Sequence, residues 1–388
     1  MRKKIYLDYA ATTPLDKDVL RAMLPYLKGE YGNPSSSHVF GQRAMAGVDN
    51  ARLITARFLG CELEEVVFTG SATEADNLVI KGVVQGERPH IITSVIEHEA
   101  VIAPCQELEA QGLATVTYIG VDEDGVVSVK DIEKAVQKNT VLVSIMYANS
   151  EIGTVQPIAE IGAMLKEMNI KRTKKILFHT DAVQAVNYLN CNVDLLSVDL
   201  LTLSSHKIYG PKGVGALYIR SGTEINPLVI GGGQERGMRS GTENVAGIVG
   251  FGAALLKVQD AKIKLHTITI RQMRDVLIKG ICKLIPDVQL NGSLQNRLAN
   301  NVNVSFKDIE GFELVVALDQ RGIAVSTGSA CSERRHEPSH VLLALGRSGK
   351  EAMSSLRMTL GRGTMRQDVE HVMRILIKTV EGLRKKKV

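Results

Sequence analysis

The 388-residue sequence predicts an α/β fold: a large, doubly wound, mostly parallel sheet followed by a smaller α+β unit. Three observations carry this. Between about residues 65 and 220, short apolar runs alternate with helix-patterned segments, the order that builds parallel sheets through helical crossovers. Runs such as Val141-Leu142-Val143-Ser144-Ile145-Met146 are apolar almost without interruption, which suits strands covered on both faces. From about Asp260 the texture changes, with a long helical stretch and then an alternating segment.

Taken in order, the apolar runs place strands at 65–68, 90–94, 114–119, 141–147, 176–179, 200–204 and 215–219. The intervening patterns place helices at 72–84, 100–111, 129–137 and 157–168. Beyond residue 260, Asn301-Val302-Asn303-Val304-Ser305-Phe306 alternates like a half-exposed strand. Helical patterns return over 311–320 and 366–384. The large unit is expected to take residues 15–260. The smaller one takes 261–388 and residues 1–14, whose apolar start reads as a strand joining it.

Composition excludes several classes. No apolar stretch is long enough to span a membrane, and the opening residues lack the apolar core of a secretory signal. The net charge of +5 is scattered except at 384–387, which reads as a solvated helix end rather than a nucleic-acid surface. Five cysteines at wide spacings, with no Cys-x-x-Cys pair, fit neither a disulfide framework nor a zinc site. A reducing cytoplasm is expected, with no bound metal, no direct nucleic-acid contact and no membrane association. Cys61, Cys105, Cys191 and Cys282 read as small buried or half-buried side chains.

Cys331 is different. It lies in Ser326-Thr327-Gly328-Ser329-Ala330-Cys331-Ser332, with Glu333, Arg334, Arg335 and His336 just behind it. Cationic neighbours lower a thiol's pKa, and the thiolate is the reactive species. Lys207 follows the strand at 200–204 and precedes Gly210-Pro211-Lys212-Gly213. A lysine at a strand end in a partly desolvated site can lose its proton and attack an aldehyde, although the residues alone do not choose between Lys207 and Lys212. Such a lysine and a reactive thiol together point to cofactor chemistry ending in sulfur transfer.

Three further clusters follow strands, where open parallel sheets bind ligands. Gly70-Ser71-Ala72-Thr73-Glu74 opens a helix and is either an anion cradle or an ordinary cap. Asp181 and Gln184 follow the strand at 176–179. A carboxylate there needs a cationic partner, such as a protonated pyridine nitrogen, unless it forms an Asx turn or a buried ion pair. His98, after the strand at 90–94, can stack on a ring, move protons, or serve only the loop.

Together these segments resemble the cysteine desulfurases of the NifS/IscS type. The resemblance rests on Leu7-Asp8-Tyr9-Ala10-Ala11-Thr12-Thr13-Pro14, Gly32-Asn33-Pro34-Ser35-Ser36, Ala72-Thr73-Glu74-Ala75-Asp76-Asn77 and His206-Lys207-Ile208-Tyr209-Gly210-Pro211-Lys212-Gly213. It continues through Gly231-Gly232-Gly233-Gln234-Glu235-Arg236-Gly237-Met238-Arg239-Ser240-Gly241-Thr242, Ser329-Ala330-Cys331 and Glu337-Pro338-Ser339, in consistent order over nearly the whole chain. Proteins of this family are homodimeric, pyridoxal 5'-phosphate-dependent and of the aspartate-aminotransferase fold (fold type I).

The resemblance implies that Lys207 holds the cofactor as a Schiff base and removes the Cα proton of substrate L-cysteine. His98 would stack on the pyridine ring, Asp181 would pair with its nitrogen, and Gln184 would reach its phenolic oxygen. Ala72, Thr73, Ser204 and His206 would bind the phosphate, with Thr242 supplied by the other subunit. Asn33 and Arg357 would hold the substrate carboxylate. Cys331 would accept the sulfur, leaving L-alanine, and pass it to a protein serving iron–sulfur cluster assembly or tRNA thiolation. The rival readings are a selenocysteine lyase, a class V aminotransferase, or a non-catalytic scaffold subunit.

Three departures from the family pattern stand out. Ser150 replaces the asparagine expected near the phenolic oxygen, in Asn149-Ser150-Glu151. Charged Glu333-Arg334-Arg335 replaces small polar residues after Cys331. The segment ending at Val388 lacks the tail that some members use to dock a scaffold.

Overall fold

A computed structural model describes residues 4–328 and 337–385. In chain order the elements are β1 (Ile5–Tyr6), α1 (Lys17–Lys28), α2 (Val39–Leu59), β2 (Val66–Thr69), α3 (Ala72–Gly82), β3 (His90–Ser94), α4 (Glu99–Ala110) and β4 (Thr115–Ile119). Then come α5 (Val129–Ala135), β5 (Thr140–Ser144), α6 (Ile158–Asn169), β6 (Leu177–Asp181), α7 (Val193–Leu196), β7 (Leu200–Ser204), β8 (Gly215–Ile219) and α8 (Val245–Gln259). The remainder comprises α9 (Ala261–Leu284), β9 (Val288–Leu290), β10 (Asn301–Phe306), α10 (Gly311–Asp319), β11 (Ile323–Ala324), α11 (His340–Ala344), α12 (Gly349–Met353), β12 (Ser355–Thr359) and α13 (Arg366–Lys385).

The central sheet has seven strands in the order β2-β8-β7-β6-β5-β3-β4. It is parallel except for β8, which runs antiparallel to both neighbours. Its alternate residues serve opposite cores, as a period of two requires. Ile92, Val143 and Leu201 join one apolar cluster with residues of α2, α6 and α8. Ile91, Leu142 and Leu200 join another with α3 and α4. This is the doubly wound arrangement read from the sequence.

Besides the short α7, α11 and α12, three longer helices have no counterpart in the sequence pattern: α1, α2 and α8. Pro25 interrupts the pattern of α1, and in α2 and α8 glycines explain why. Within helices they lower propensity, yet here they permit close packing. A Cβ on Gly252 of α8 would sit 2.9 Å from the Ala51 Cα of α2, and one on Gly250 would sit 2.7 Å from the Met23 sulfur of α1.

A second core gathers Ile270, Leu277 and Ile281 of α9, Val302, Val304 and Phe306 of β10, Leu356 and Met358 of β12, and Val372 and Leu376 of α13. β10 is the middle of a three-stranded antiparallel sheet, β12-β10-β9. β1 pairs in parallel with β11, which brings the chain's start to this core. The alternation of β10 is misleading, because all six of its residues are buried. Asn301 and Asn303 point not to water but to the Glu151 carbonyl, donating to it at 3.0 and 3.1 Å. The polar face is covered by the loop that follows β5, and buried amides are tolerated because they are hydrogen-bonded. Cys282 is a second correction. The buried stripe of α9 runs through Leu277, Ile278 and Ile281, so Cys282 falls outside it and is exposed.

Candidate active site

The site lies at the carboxyl edge of β5, β6 and β7, and the pleat builds its floor. Along β6, Leu177, His179 and Asp181 share one face. Their registered partners are Leu142, Ser144 and Thr202, with Leu200 also opposite His179. Apolar Leu177, Leu142 and Leu200 pack with α3 and α4, and the column turns polar toward the strand ends. His179 is wholly buried, with Nδ1 2.8 Å from Ser144 Oγ and Nε2 3.0 Å from Thr202 Oγ1. Burial pushes its pKa down to about 3, so the ring stays neutral. Asp181 ends the strand, and its Oδ1 accepts the Val183 N–H at 2.9 Å. Burial pushes its carboxyl upward, while the neighbouring charges of His98 and Lys207 pull it back.

His98 caps α4, with Nδ1 accepting the Ala100 N–H at 3.1 Å. Its pKa is depressed by dense surrounding protein, against the pull of Asp181. The ring is nevertheless reachable by solvent, as a side chain lining an open concavity is. Glu97 beside it is buried and accepts from Ser94 Oγ at 2.6 Å and the Met146 N–H at 3.0 Å. Burial raises its pKa to about 8.

Lys207 ends the single 3₁₀ turn Ser205–Lys207 that leaves β7. Its Nζ donates to the carbonyls of Ala10 at 2.6 Å and Ala11 at 2.8 Å. Gln184 Nε2 donates to the same Ala10 carbonyl at 3.0 Å. The N-terminal segment therefore crosses from the second core to the lysine, held also by Thr13 Oγ1 on the His206 carbonyl at 2.8 Å. His206 Nδ1 lies 3.1 Å from Thr12 Oγ1, and burial with Lys207 and Lys212 lowers its pKa to about 4. Of the two lysines the sequence left open, Lys207 is half-buried among these groups and Lys212 is exposed.

Ala72 and Thr73 form the first turn of α3, behind the cap Ser71, whose Oγ accepts the Glu74 N–H at 3.1 Å. The Glu74 carboxylate spans the helix start, with Oε2 accepting the Gly70 N–H at 2.8 Å and Oε1 accepting from Arg239 Nε at 2.9 Å, which offsets part of its charge at this anion-favouring end. Ser204 pairs with Gly215 on the adjacent β8. A Cβ on Gly215 would lie 2.8 Å from the Ser71 carbonyl carbon and 3.0 Å from the Ala72 nitrogen, so only glycine lets the strand pass beneath this turn.

Arg357, in the middle of β12, is 3% exposed. Nη2 donates to Asp8 at 2.9 Å, Nη1 to the Ser150 carbonyl at 3.3 Å, and Nε is buried without a partner among the described residues. Ser150 lines a cavity of about 20 Å³ with Glu97, His98, Asn149, Glu151 and His340. Asn149 faces the loop instead, donating to the Ile96 carbonyl at 2.9 Å and accepting the N–H groups of Glu151 and Ile152. Asn33 is exposed in an Asx turn, accepting the Ser35 N–H at 3.0 Å. Thr242 is exposed in a loop. Among the described residues, no hydrogen bond joins either side chain to the Lys207 group. Cys331 lies outside the described residues, but Gly328 and Ser339 on either side of it both meet Glu151. Ser339 Oγ donates to Glu151 Oε2 at 2.6 Å, and a Cβ on Gly328 would lie 2.8 Å from the same oxygen.

Sequence reasoning gave no role to Asp8, Asp76, Glu97, Glu151 or His179. A signal was present for His179, since period two places it on the same face as Asp181.

An amine, a stackable imidazole, a buried carboxylate and a helix N-terminus at one sheet edge are the donor set of a pyridoxal-phosphate enzyme. The buried Arg357 Nε, without a partner among the described residues, leaves a polar group for a ligand to meet. Comparison with known proteins narrows the class. The Aminotransferase class-V family model matches residues 5–372. The cysteine desulfurase IscS of Dictyoglomus turgidum is 48% identical over 388 residues, 99% of this chain and 96% of that protein. The cysteine desulfurase IscS of Methanosarcina thermophila is 48% identical over 385 residues, 98% and 93% of the two chains. Among solved structures, a NifS-like protein superposes with a TM-score of 0.90 at 36% identity, covering 98% of this chain and all of that one (100%). SspA in complex with cysteine gives 0.80 at 38%, covering 92% and 99%. The chain belongs to the class-V aminotransferase family and, within it, to the cysteine desulfurases of the NifS/IscS type, which use pyridoxal 5'-phosphate.

Proposed function

We propose that Lys207, His98, Asp181 and Cys331 carry the desulfuration of L-cysteine in this chain. One observation supports the assignment most: Lys207 Nζ and Gln184 Nε2 converge on the Ala10 carbonyl at the sheet's carboxyl edge, where the buried Asp181 ends β6. Pyridoxal phosphate, when bound, supplies an electron sink for charge forming at the substrate Cα. Asp181 would hold its negative charge against the ring nitrogen, with His98 across the ring face and Gln184 and Ser150 at the phenolic oxygen. Ala72, Thr73, Ser204 and His206 would hold the phosphate, and Thr242 that of a second copy. Lys207 anchors the cofactor and takes the Cα proton. Arg357, oriented by Asp8, would grip the substrate carboxylate together with Asn33, a task suited to the guanidinium fork.

Cys331 acts as the thiolate. It attacks the substrate sulfur, a new S–S bond forms, the Cβ–S bond breaks, Cβ takes a proton, and Lys207 returns a proton to Cα. One cysteine and one enzyme thiol thus give one alanine and one persulfide. The sulfur would then pass to an acceptor protein for iron–sulfur cluster assembly or tRNA thiolation, in the cytoplasm. No helix among the described residues is long and apolar enough to cross a membrane. Exposed Leu27, Tyr31, Val39, Phe40 and Ile230 favour a homodimer, since such side chains gain by mutual burial. In this reading residues 15–260 form the cofactor-binding unit, and residues 1–14 with 261–388 form the unit carrying Cys331.

The test is a cysteine pulse followed by peptide-resolved mass spectrometry. A persulfide should appear on the Cys331 peptide with stoichiometric alanine. Sulfur found chiefly on Cys61, Cys105, Cys191 or Cys282 would overturn the assignment.

A further inference from the structure

Beneath the proposed cofactor site lies a carboxyl group that the reaction scheme does not use. Asp76, in the second turn of α3, is 0% exposed. Neither of its carboxyl oxygens has a hydrogen-bond partner among the described residues. The nearest ionisable group is His179, whose Nε2 stands 3.6 Å from Asp76 Oδ1. That ring is no cationic partner, because it is buried among Ser144 and Thr202 and stays neutral. The other titratable groups facing Asp76 are Asp181, at the end of β6, and Glu97, before α4. Both are carboxyls.

A buried carboxylate with no cation, two like-charged neighbours and only the Thr202 hydroxyl to favour its charged form is poorly tolerated in a dry interior. Two acids in one desolvated site cannot both ionise freely, and the one with better charge partners takes the charge. Asp181 has those partners: the Val183 N–H, the Lys207 charge and the His98 ring. We propose that Asp76 is held as a neutral carboxylic acid and is a positioning residue, confining the negative charge of this carboxyl cluster to Asp181, where the cofactor's ring nitrogen is read to bind. The inference deepens the function proposed above and rests on its assignment of Asp181. Burial first, then the Asp181 charge, act on Asp76 in the required upward direction and outweigh the downward pull of the Thr202 hydroxyl.

Infrared spectroscopy of the holoenzyme, titrated with pH, tests this. A carbonyl stretch of a protonated acid should be present at neutral pH and vanish in Asp76→Asn, while Glu97→Gln removes a separate band. Labelling aspartate with carbon-13 in the unsubstituted enzyme should shift the same band, which identifies it even if Asp76→Asn fails to fold. In Asp181→Asn the like charge is gone, so the pH at which the Asp76 band disappears should fall by about one unit or more. Burial alone would not move it. The proposal is overturned if no aspartate-derived acid band exists at neutral pH, or if its midpoint ignores Asp181→Asn. Failure of the Asp181 assignment itself would show differently, as unchanged visible absorption and retention of cofactor in Asp181→Asn while the Asp76 band persists.

Discussion

At the residue scale, Lys207 and Lys212 separate by environment rather than by chemistry. Both are primary amines in the same loop, but only Lys207 reaches the Ala10 and Ala11 carbonyls inside the site. Lys207→Ala should therefore abolish the visible absorption of protein-bound cofactor, and Lys212→Ala should largely keep it. Spectra after reconstitution and gel filtration read the difference directly. Arg357 yields a second prediction. Its buried guanidinium depends on Asp8 for charge balance, and breaking a buried pair commonly costs about 3–5 kcal/mol because the surviving charge is stranded. Asp8→Ala should lower stability by an amount of that order and raise the KM for cysteine. Denaturant unfolding beside steady-state kinetics decides it, and an unchanged KM would remove Asp8 from the orientation of Arg357.

Elements place these residues through close approach. The first turn of α3 reaches the end of β7 only because Gly215 of β8 presents no Cβ to Ser71 and Ala72. Gly215→Ala must push that turn outward by some tenths of an ångström, and overpacking of this kind costs typically about 1–3 kcal/mol. The displaced groups are those read to hold the phosphate, so cofactor should dissociate faster on dialysis than from the unsubstituted enzyme. Equal retention would show that the turn is not part of the cradle. The α2–α8 contact through Gly252 follows the same logic away from the site. There, Gly252→Val should destabilise the fold without changing cofactor retention per folded molecule.

For the whole molecule, the buried ionisable groups beneath the site shape stability against pH. Glu97 has a folded pKa of about 8, above its ordinary 4.5. Between those values the folded state holds a proton that the unfolded state has released, so stability falls as pH rises through this window. His179 acts oppositely, with a folded pKa of about 3 against 6.5. The unfolded state binds its proton first, so stability falls as pH drops below about 6.5. The two trends offset each other between about pH 4.5 and 6.5, where the apoprotein should be most stable. Glu97→Gln should flatten the alkaline limb, and thermal melts from pH 5 to 9 check this. A slope identical to that of the unsubstituted protein would mean that Glu97 is ionised in the fold.

Sequence by itself determined the sheet, because its strands are buried on both faces and so must be written as unbroken apolar runs. β3, β7 and β8 fall at the residues the pattern marks. It also marked Lys207, Asp181 and His98, because polar residues just past buried strands lie where parallel sheets bind ligands. Only the tertiary structure decided what faces those residues. β10 alternates as if one side met water, yet a loop 150 residues away covers that side and satisfies its asparagines. α1, α2 and α8 pack through glycines of α2 and α8, which weaken the signal of those two helices as Pro25 weakens that of α1. Asp76 looks like an ordinary helix residue until α3 lays it against His179, near Asp181. Strand burial is a property of consecutive residues and is legible along the chain. Partnership between distant side chains depends on which surfaces meet, and the chain records that only once it has folded.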